Sequence, residues 1–257
     1  MGVLGGTIAY HFLRRYAGAE VVGALDGSAY HGKSKLRVLL GDALIERIRD
    51  KDVLDFGCGA GAEVVELAQL GAKSVVGVDI QSDRFADAIV QAQHVGVADR
   101  VSFQTQAKTP VDIVVSIDSF EHFADPAQIL ASMASHLRPE GCVLVSFGPT
   151  WYHPLGGHLF SVFPWAHLLF TEEALIRWRS DFKSDGATRF AEVAGGLNQM
   201  TIARFERIVA ASPFRIVKLE AVPIRRLARV ANRFTREFTT AIVRCTLVLR
   251  GSAATRN

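Results

Sequence analysis

Cysteine is scarce in this chain: its 257 residues include only Cys58, Cys142 and Cys245, too widely spaced for a paired metal motif or a disulfide framework. That scarcity excludes a small disulfide-stapled scaffold and points to a reducing compartment. Long apolar runs are missing as well. No stretch reaches the ~18 to 20 uninterrupted apolar residues of a membrane-spanning helix. Met1 to Arg15 lacks the early basic segment, sustained apolar stretch and small-residue cleavage site of a secretory signal. The expectation is a cytoplasmic protein with at most peripheral membrane contact, made through the aromatic segment 159–170. Net charge is small, formally +3. Nucleic acid is therefore not an expected partner. The one basic stretch, Arg225, Arg226, Arg229, Arg233 and Arg236, reads as a solvated helix face. Internal repeats and low-complexity tracts are also absent, which excludes solenoids and long disordered linkers.

What is present suits one globular domain with additions. Hydrophobic residues make up 49% and charged residues 21%, enough apolar surface for a substantial core. Apolar runs of strand length alternate with helix-length amphipathic segments. Strands are predicted at 52–57, 74–80, 100–105, 111–117, 141–147, 214–222 and 240–249, with helices at 61–70, 83–95 and 126–137. Such alternation makes an α/β fold: a mostly parallel, seven-stranded sheet with helices on both faces. Residues 1–50, with a helical pattern from Leu36 to Ile48, are expected to form an N-terminal helical cap on a main domain spanning 51–257. Residues 149–200 interrupt the alternation with Pro, Gly, His and aromatics, and are expected to be a helical insertion that closes over the site.

The strongest motif is Val53-Leu54-Asp55-Phe56-Gly57-Cys58-Gly59-Ala60-Gly61, followed by a helix-length segment and Val75-Val76-Gly77-Val78-Asp79-Ile80. A buried strand turns on three alternating glycines, where a ligand can approach the backbone, and a second strand ends in an acid that can accept both ribose hydroxyls of a nucleoside. The spacing is not the G-x-G-x-x-G that leaves helix amides free for a pyrophosphate. Asp55, before the first glycine, would repel a diphosphate and attract a cationic amine.

This D-x-G-x-G-x-G segment resembles the first motif of class I S-adenosylmethionine-dependent methyltransferases, and Asp79 matches the acid that family places on the cofactor ribose. The resemblance implies a Rossmann-like fold with the last strand antiparallel to its neighbours. S-adenosyl-L-methionine is the implied cofactor, contacted by Asp55, Phe56, Gly57, Cys58, Gly59, Gly61, Asp79, Ile80, Ser116 and Ile117. The match covers Lys51 to Phe147; the segment Gln104-Thr105-Gln106-Ala107 departs from it by lacking the acid often placed near the adenine.

A second constellation, Ser116-Ile117-Asp118-Ser119-Phe120-Glu121-His122, follows the fourth strand, where a methyl acceptor would sit. It looks like the E-x-x-E-H stretch of metal-dependent O-methyltransferases, with Asp118 in place of the first Glu. Two chemistries fit. Asp118, Glu121 and His122, joined by His158, can ligate Mg²⁺ or Mn²⁺. Alternatively, His122 acts without metal as the general base, with Glu121, His153 and His158 assisting. His153 and His158 flank the turn Gly156-Gly157, whereas His167, among Trp165, Leu168, Leu169 and Phe170, reads as a core histidine. Asn198 and Gln199 precede a helix from Ile202 to Ala210 and are candidate contacts to a polar substrate. Together these residues favour O-methylation of a small hydroxylated acceptor such as a sugar, glycolipid precursor or other metabolite. N-methylation and a non-catalytic cofactor-binding or scaffold role stay open, as do monomer and homodimer.

Overall fold

In the computed structural model, residues 2–16, 34–80, 82–106, 110–193 and 196–252 are described. Seven strands form one sheet: β1 (Asp52–Phe56), β2 (Ser74–Val78), β3 (Val101–Gln104), β4 (Val111–Ile117), β5 (Leu137–Phe147), β6 (Phe214–Pro223) and β7 (Thr240–Leu249). Their order is β3-β2-β1-β4-β5-β7-β6. β1 pairs in parallel with both β2 and β4, while β7 runs antiparallel between β5 and β6. The principal helices are α1 (Gly6–Tyr16), α2 (Lys35–Leu40), α3 (Ala62–Gln69), α4 (Phe85–His94), α5 (Pro126–Ser135), α6 (Glu172–Arg179) and α7 (Ile202–Ala210). This is the expected Rossmann-like class I methyltransferase architecture. The strand order reverses between β1 and β4, so the loops after these two strands border a crevice at their carboxyl ends.

The sheet is buried on both faces, which is why its central strands read as continuous apolar runs. On one face α2, α3 and α4 bury Leu36, Leu39, Val64, Val65, Leu67 and Ala88 against Val53, Val75, Ile113 and Val115. On the other, Leu130 and Met133 of α5 and Phe205 and Val209 of α7 pack on Leu54, Val114, Val143 and Val145. A third apolar cluster, away from the sheet, joins α1 to the insertion through Leu13, Trp151, Phe160, Phe170, Leu175 and Trp178.

Helix starts follow the side chains available. Asp125 caps α5 by accepting from the amides of Ala127 and Gln128, and Pro126 opens the helix where no amide is needed. Thr171 and Thr201 cap α6 and α7 in the same way.

Several element boundaries differ from the sequence expectation. The helix expected over Leu36 to Ile48 is broken at Gly41, whose φ of 77° and ψ of 157° cannot continue a helix. The fifth strand begins at Leu137, earlier than expected, because Leu137 pairs with Val111 before a register shift leads into the pairing of Ile113 with Cys142. The insertion is less helical than predicted: α6 is its one helix of eight residues among the described residues, and the rest consists of turns and single helical turns. Segment 159–170, expected as a membrane contact, is half buried: Phe160, Val162, Ala166, His167 and Phe170 lie inside, whereas Trp165 and Leu169 are exposed. α1 covers it.

Candidate active site

Two cavities flank the loop that leaves β4. The smaller, about 210 Å³, is lined by Lys35, Asp55, Gly57, Gly59, Glu63 and Asp118, among others. The larger, about 540 Å³, is mainly apolar and carries His122, His153 and His158 on its wall.

The glycine turn builds the first cavity. Gly57, Gly59 and Gly61 all adopt positive φ, at 84°, 53° and 82°, a region that costs other residues strain. Their reasons differ. A Cβ on Gly61 would come within 2.4 Å of Phe103 Cε1, whereas one on Gly59 would meet nothing within 4 Å. Gly61 is small because α3 packs closely on the sheet; Gly59 leaves open space toward the cavity. The Gly59 amide donates to Asp79 Oδ2 at 2.8 Å, so the acid ending β2 braces the turn.

The charge pattern here is unusual. Asp55 is 3% exposed, and burial, reinforced by Glu63, pushes its carboxyl pKa up to about 8. Lys35 Nζ, brought in by α2, lies 3.4 Å from Glu63 Oε1 and 3.3 Å from Asp118 Oδ2. Burial works against the Lys35 ammonium, yet Asp118 and Glu63 together hold its pKa above the ordinary value. Burial also raises Asp118, with Lys35 opposing, and Asp118 Oδ1 is buried without a hydrogen-bond partner. Three carboxyl groups around one ammonium suit a ligand that brings further positive charge. S-adenosylmethionine, with a sulfonium and an ammonium, has that character.

Beyond Asp118, itself at φ 47°, the chain turns back and buries Glu121 at 2% exposure. Burial, then Asp118, raises the Glu121 carboxyl pKa to about 8. Its Oε1 accepts from the Gly148 amide at 3.3 Å, and its Oε2 has no partner. His122 Nδ1 lies 2.8 Å from the Gly196 carbonyl oxygen. A carbonyl can only accept, so Nδ1 carries the proton, and in that tautomer Nε2 is the acceptor. The His158 ring meets the His122 ring edge-on, with centroids 5.4 Å apart. Burial, then His122, lowers the His158 pKa to about 4; burial, then His167, does the same for His153. Both are neutral near pH 7.

The expected metal set does not assemble. Asp118 is engaged with Lys35, His122 with a carbonyl and Glu121 with an amide, and no group of three or more His, Cys, Asp or Glu is arranged to hold an ion among the described residues. Asn198 is likewise no substrate contact: its Nδ2 donates to the Phe120 and Phe123 carbonyls, and its backbone amide to that of Glu121. It clamps the loop bearing Glu121 and His122.

Of the expected cofactor contacts, Asp55, Gly57, Cys58, Gly59 and Ile117 line the smaller cavity. Ser116 is fully buried with its hydroxyl lacking a partner, and Ile80 is 89% exposed beyond β2. Phe56 turns its ring edge-on to Phe123, and the Cys58 side chain is buried beneath the turn. His167 is a core residue as expected, its Nε2 2.6 Å from the Trp151 carbonyl oxygen. Lys35 and Glu63 escaped sequence reasoning. Neither lies in a chemical motif, and only packing of α2 against the start of α3 brings them to Asp118.

The family model described as a methyltransferase domain matches residues 30–219. This chain belongs to the class I S-adenosylmethionine-dependent methyltransferase family. Among curated relatives, it is 35% identical over 95 residues to a ribosomal protein L11 methyltransferase of Haemophilus influenzae (strain PittEE). That match covers 37% of this chain and 32% of the relative, so the chain spans about a third of the length of the curated relatives it matches. A solved S-adenosylmethionine-dependent methyltransferase from Mesorhizobium loti shares the fold with a TM-score of 0.50 at 14% identity, over 88% of this chain and 99% of that one. An O-methyltransferase from neocarzinostatin biosynthesis, solved with S-adenosylmethionine and 2-hydroxy-5-methyl naphthoic acid, aligns with a TM-score of 0.51 at 12% identity, over 83% of this chain and 54% of that one.

Proposed function

We propose that this methyltransferase transfers a methyl group to a hydroxyl of a small acceptor held in the histidine-walled cavity, with His122 as general base. The observation that carries this reading is the bond between His122 Nδ1 and the Gly196 carbonyl, which leaves Nε2 as a proton acceptor on the cavity wall. An alcohol needs such a base, because its oxygen is a weak nucleophile until its proton is lost. The apolar lining, with Leu155, Leu159, Phe160 and Leu197, excludes water that would compete for the methyl.

S-adenosylmethionine, when bound, supplies a methyl already activated on a positively charged sulfur. In this reading Asp55 and Asp118 would hold its positive charges, Asp79 would accept from its ribose hydroxyls, Lys35 would pair with its carboxylate, and the turn Gly57 to Gly61 would let it approach the backbone. Bound there, the cofactor would supply the methyl to the acceptor oxygen and keep the sulfur's bonding electrons, while His122 Nε2 would take the hydroxyl proton. Positioning dominates catalysis, since the protein adds no covalent step. The loop clamp by Asn198 and the hydrogen bond that the Gly148 amide donates to Glu121 serve that positioning. Residues 149–200 act as the substrate-binding insertion, and residues 1–50 as the cap that delivers Lys35.

The test is turnover of labelled S-adenosylmethionine against a panel of hydroxylated sugars, phenols and lipid-linked alcohols, with His122→Gln beside wild type. Product methylated on oxygen, with kcat reduced ~10²- to 10⁴-fold in the variant, is the expected result; unchanged kcat in the variant refutes the base. A second reading, transfer to a protein amine, is favoured by the name of the ribosomal protein L11 methyltransferase relatives. Labelling of ribosomal protein L11, with no label on any hydroxylated acceptor, would establish it instead.

A further inference from the structure

Two segments outside the site, α1 and residues 223–238, are linked across the insertion by a chain of aromatic side chains. α1 buries Ala9, Tyr10 and Leu13 against the insertion and turns the opposite stripe, Ile8, Phe12 and Tyr16, outward at four-residue spacing. Ile8 is 86% exposed, and Val3 just before the helix 88%. The stripe runs on into the insertion, where Phe12 stacks on Phe170 and Tyr16 meets the edge of Phe163. From there the surface continues through Trp165, whose indole N–H donates to the Tyr152 carbonyl, to Phe238, 5.2 Å from the Tyr152 ring. Phe238 adjoins the segment 223–236, in which Phe234 is 79% and Val230 56% exposed. That segment holds five arginines and no acid, and residues 2–16 hold Arg14 and Arg15, again with no acid.

We propose that this face docks on an anionic lipid bilayer, with Ile8 and Phe234 entering the interface while Arg225, Arg226, Arg229 and Arg233 meet lipid phosphates. Exposed aliphatic and aromatic side chains beside arginines are the pattern of interfacial binding, in which apolar burial and attraction to anionic headgroups add. A single-stranded nucleic acid would also accept the arginines and stack on Phe234. It gains nothing from Val3, Ile8 and Val230, which a bilayer buries. A second copy of the chain fits worse. A two-fold contact brings the same patch together with itself, and neither segment offers a carboxylate to the other copy's arginines. The nearest acids are occupied: Asp181 accepts from Tyr10 and lies 3.8 Å from Arg14, Glu206 pairs with Arg236, and Glu237 accepts the Ile202 and Ala203 amides. The docking face does not depend on the acceptor's identity.

Co-sedimentation with vesicles tests the proposal, comparing phosphatidylcholine alone with phosphatidylcholine plus phosphatidylglycerol. Wild type is expected to bind the anionic vesicles, weakly bind the neutral ones and dissociate as salt rises. Combined Arg225→Gln, Arg226→Gln, Arg229→Gln and Arg233→Gln should weaken binding by about fivefold for each arginine lost. Ile8→Ser with Phe234→Ser should weaken it roughly tenfold for each side chain. Because all six side chains are exposed, each variant is expected to keep wild-type affinity for S-adenosylhomocysteine, which shows that it is folded. Equal binding to neutral and anionic vesicles overturns the proposal, as does full retention by the arginine variant. So does a wild type that ignores vesicles, whether it binds single-stranded RNA through the same arginines or forms a dimer that Ile8→Ser with Phe234→Ser dissociates.

Discussion

Glu237 holds the start of α7 from a distant part of the chain, and its removal makes a quantitative test of the architecture. Its Oε2 accepts from the Ile202 amide at 3.0 Å and its Oε1 from the Ala203 amide at 2.8 Å. These are two of the amides that a helix start leaves without an internal partner, and a carboxylate there also complements the helix dipole. Hydrogen bonds to a charged group contribute about 1.5 to 3 kcal/mol each. Both bonds are part-buried, so water recovers some of the loss in a variant and the combined cost of Glu237→Ala should be about 2 to 3 kcal/mol. Thr201 still caps the Arg204 amide and limits the damage. At roughly 2 to 4 °C per kcal/mol for a chain of this size, the melting temperature should fall by about 4 to 12 °C. Glu237→Gln keeps one carbonyl acceptor and should lose about half as much. Differential scanning calorimetry measures both. Because α7 follows directly on the Asn198 clamp, Glu237→Ala should also weaken S-adenosylhomocysteine binding several-fold in a calorimetric titration. A melting temperature within about 1 °C of wild type would refute the reasoning, showing that the two bonds are replaced by water at no cost.

Four further outcomes follow from the site and the insertion. Asp55, held protonated near pH 7 by a pKa of about 8, should release a proton when a cationic cofactor draws near; the binding enthalpy at pH 7 should then depend on buffer ionisation, and this dependence should vanish in Asp55→Asn. The same raised pKa values of Asp55 and Glu121 mean that the folded state binds more protons than the unfolded one between their ordinary range and about pH 8, so their contribution should decline as pH rises through that window, seen as a falling melting temperature of cofactor-free protein. Gly61→Ala combines a positive φ with a Cβ 2.4 Å from Phe103 Cε1 and should cost about 2 to 4 kcal/mol in denaturant unfolding, whereas Gly59→Ala, with open space around it, should cost only the backbone part. Arg179 is 3% exposed and pairs with Asp185 through contacts of 2.7 and 2.6 Å; Asp185→Asn leaves that guanidinium poorly compensated and should destabilise by about 2 kcal/mol, less than a fully buried pair because Asp185 itself is 30% exposed.

The parallel core was legible because its periodicities are local. Runs such as Val53-Leu54 and Val111 to Ile117 must be apolar to be buried on both faces, and the glycines after β1 must be glycines because their φ values are positive. The site was legible only in part. Motif spacing singled out Asp55, Asp79, Glu121 and His122 as candidates, but it treated Asp118, Glu121 and His122 as ligands of one ion. In the folded chain each turns to a different partner: an ammonium on α2, an amide beyond β5, and a carbonyl in the insertion. Asn198 looked like a substrate contact because its type and position allow it; its amide instead closes the loop it faces.

What the amino-acid sequence alone determined is the seven strands, the helices that alternate with the parallel ones, and the cofactor class, since each depends on hydrophobic period and backbone freedom within a few neighbouring residues. What only the tertiary structure decided is which charges meet. Lys35 reaches Glu63 and Asp118, and Gly196 reaches His122, across long stretches of chain. Such encounters follow from the packing of whole elements against the sheet, and electrostatic energy depends on distance and burial that no spacing along the chain encodes.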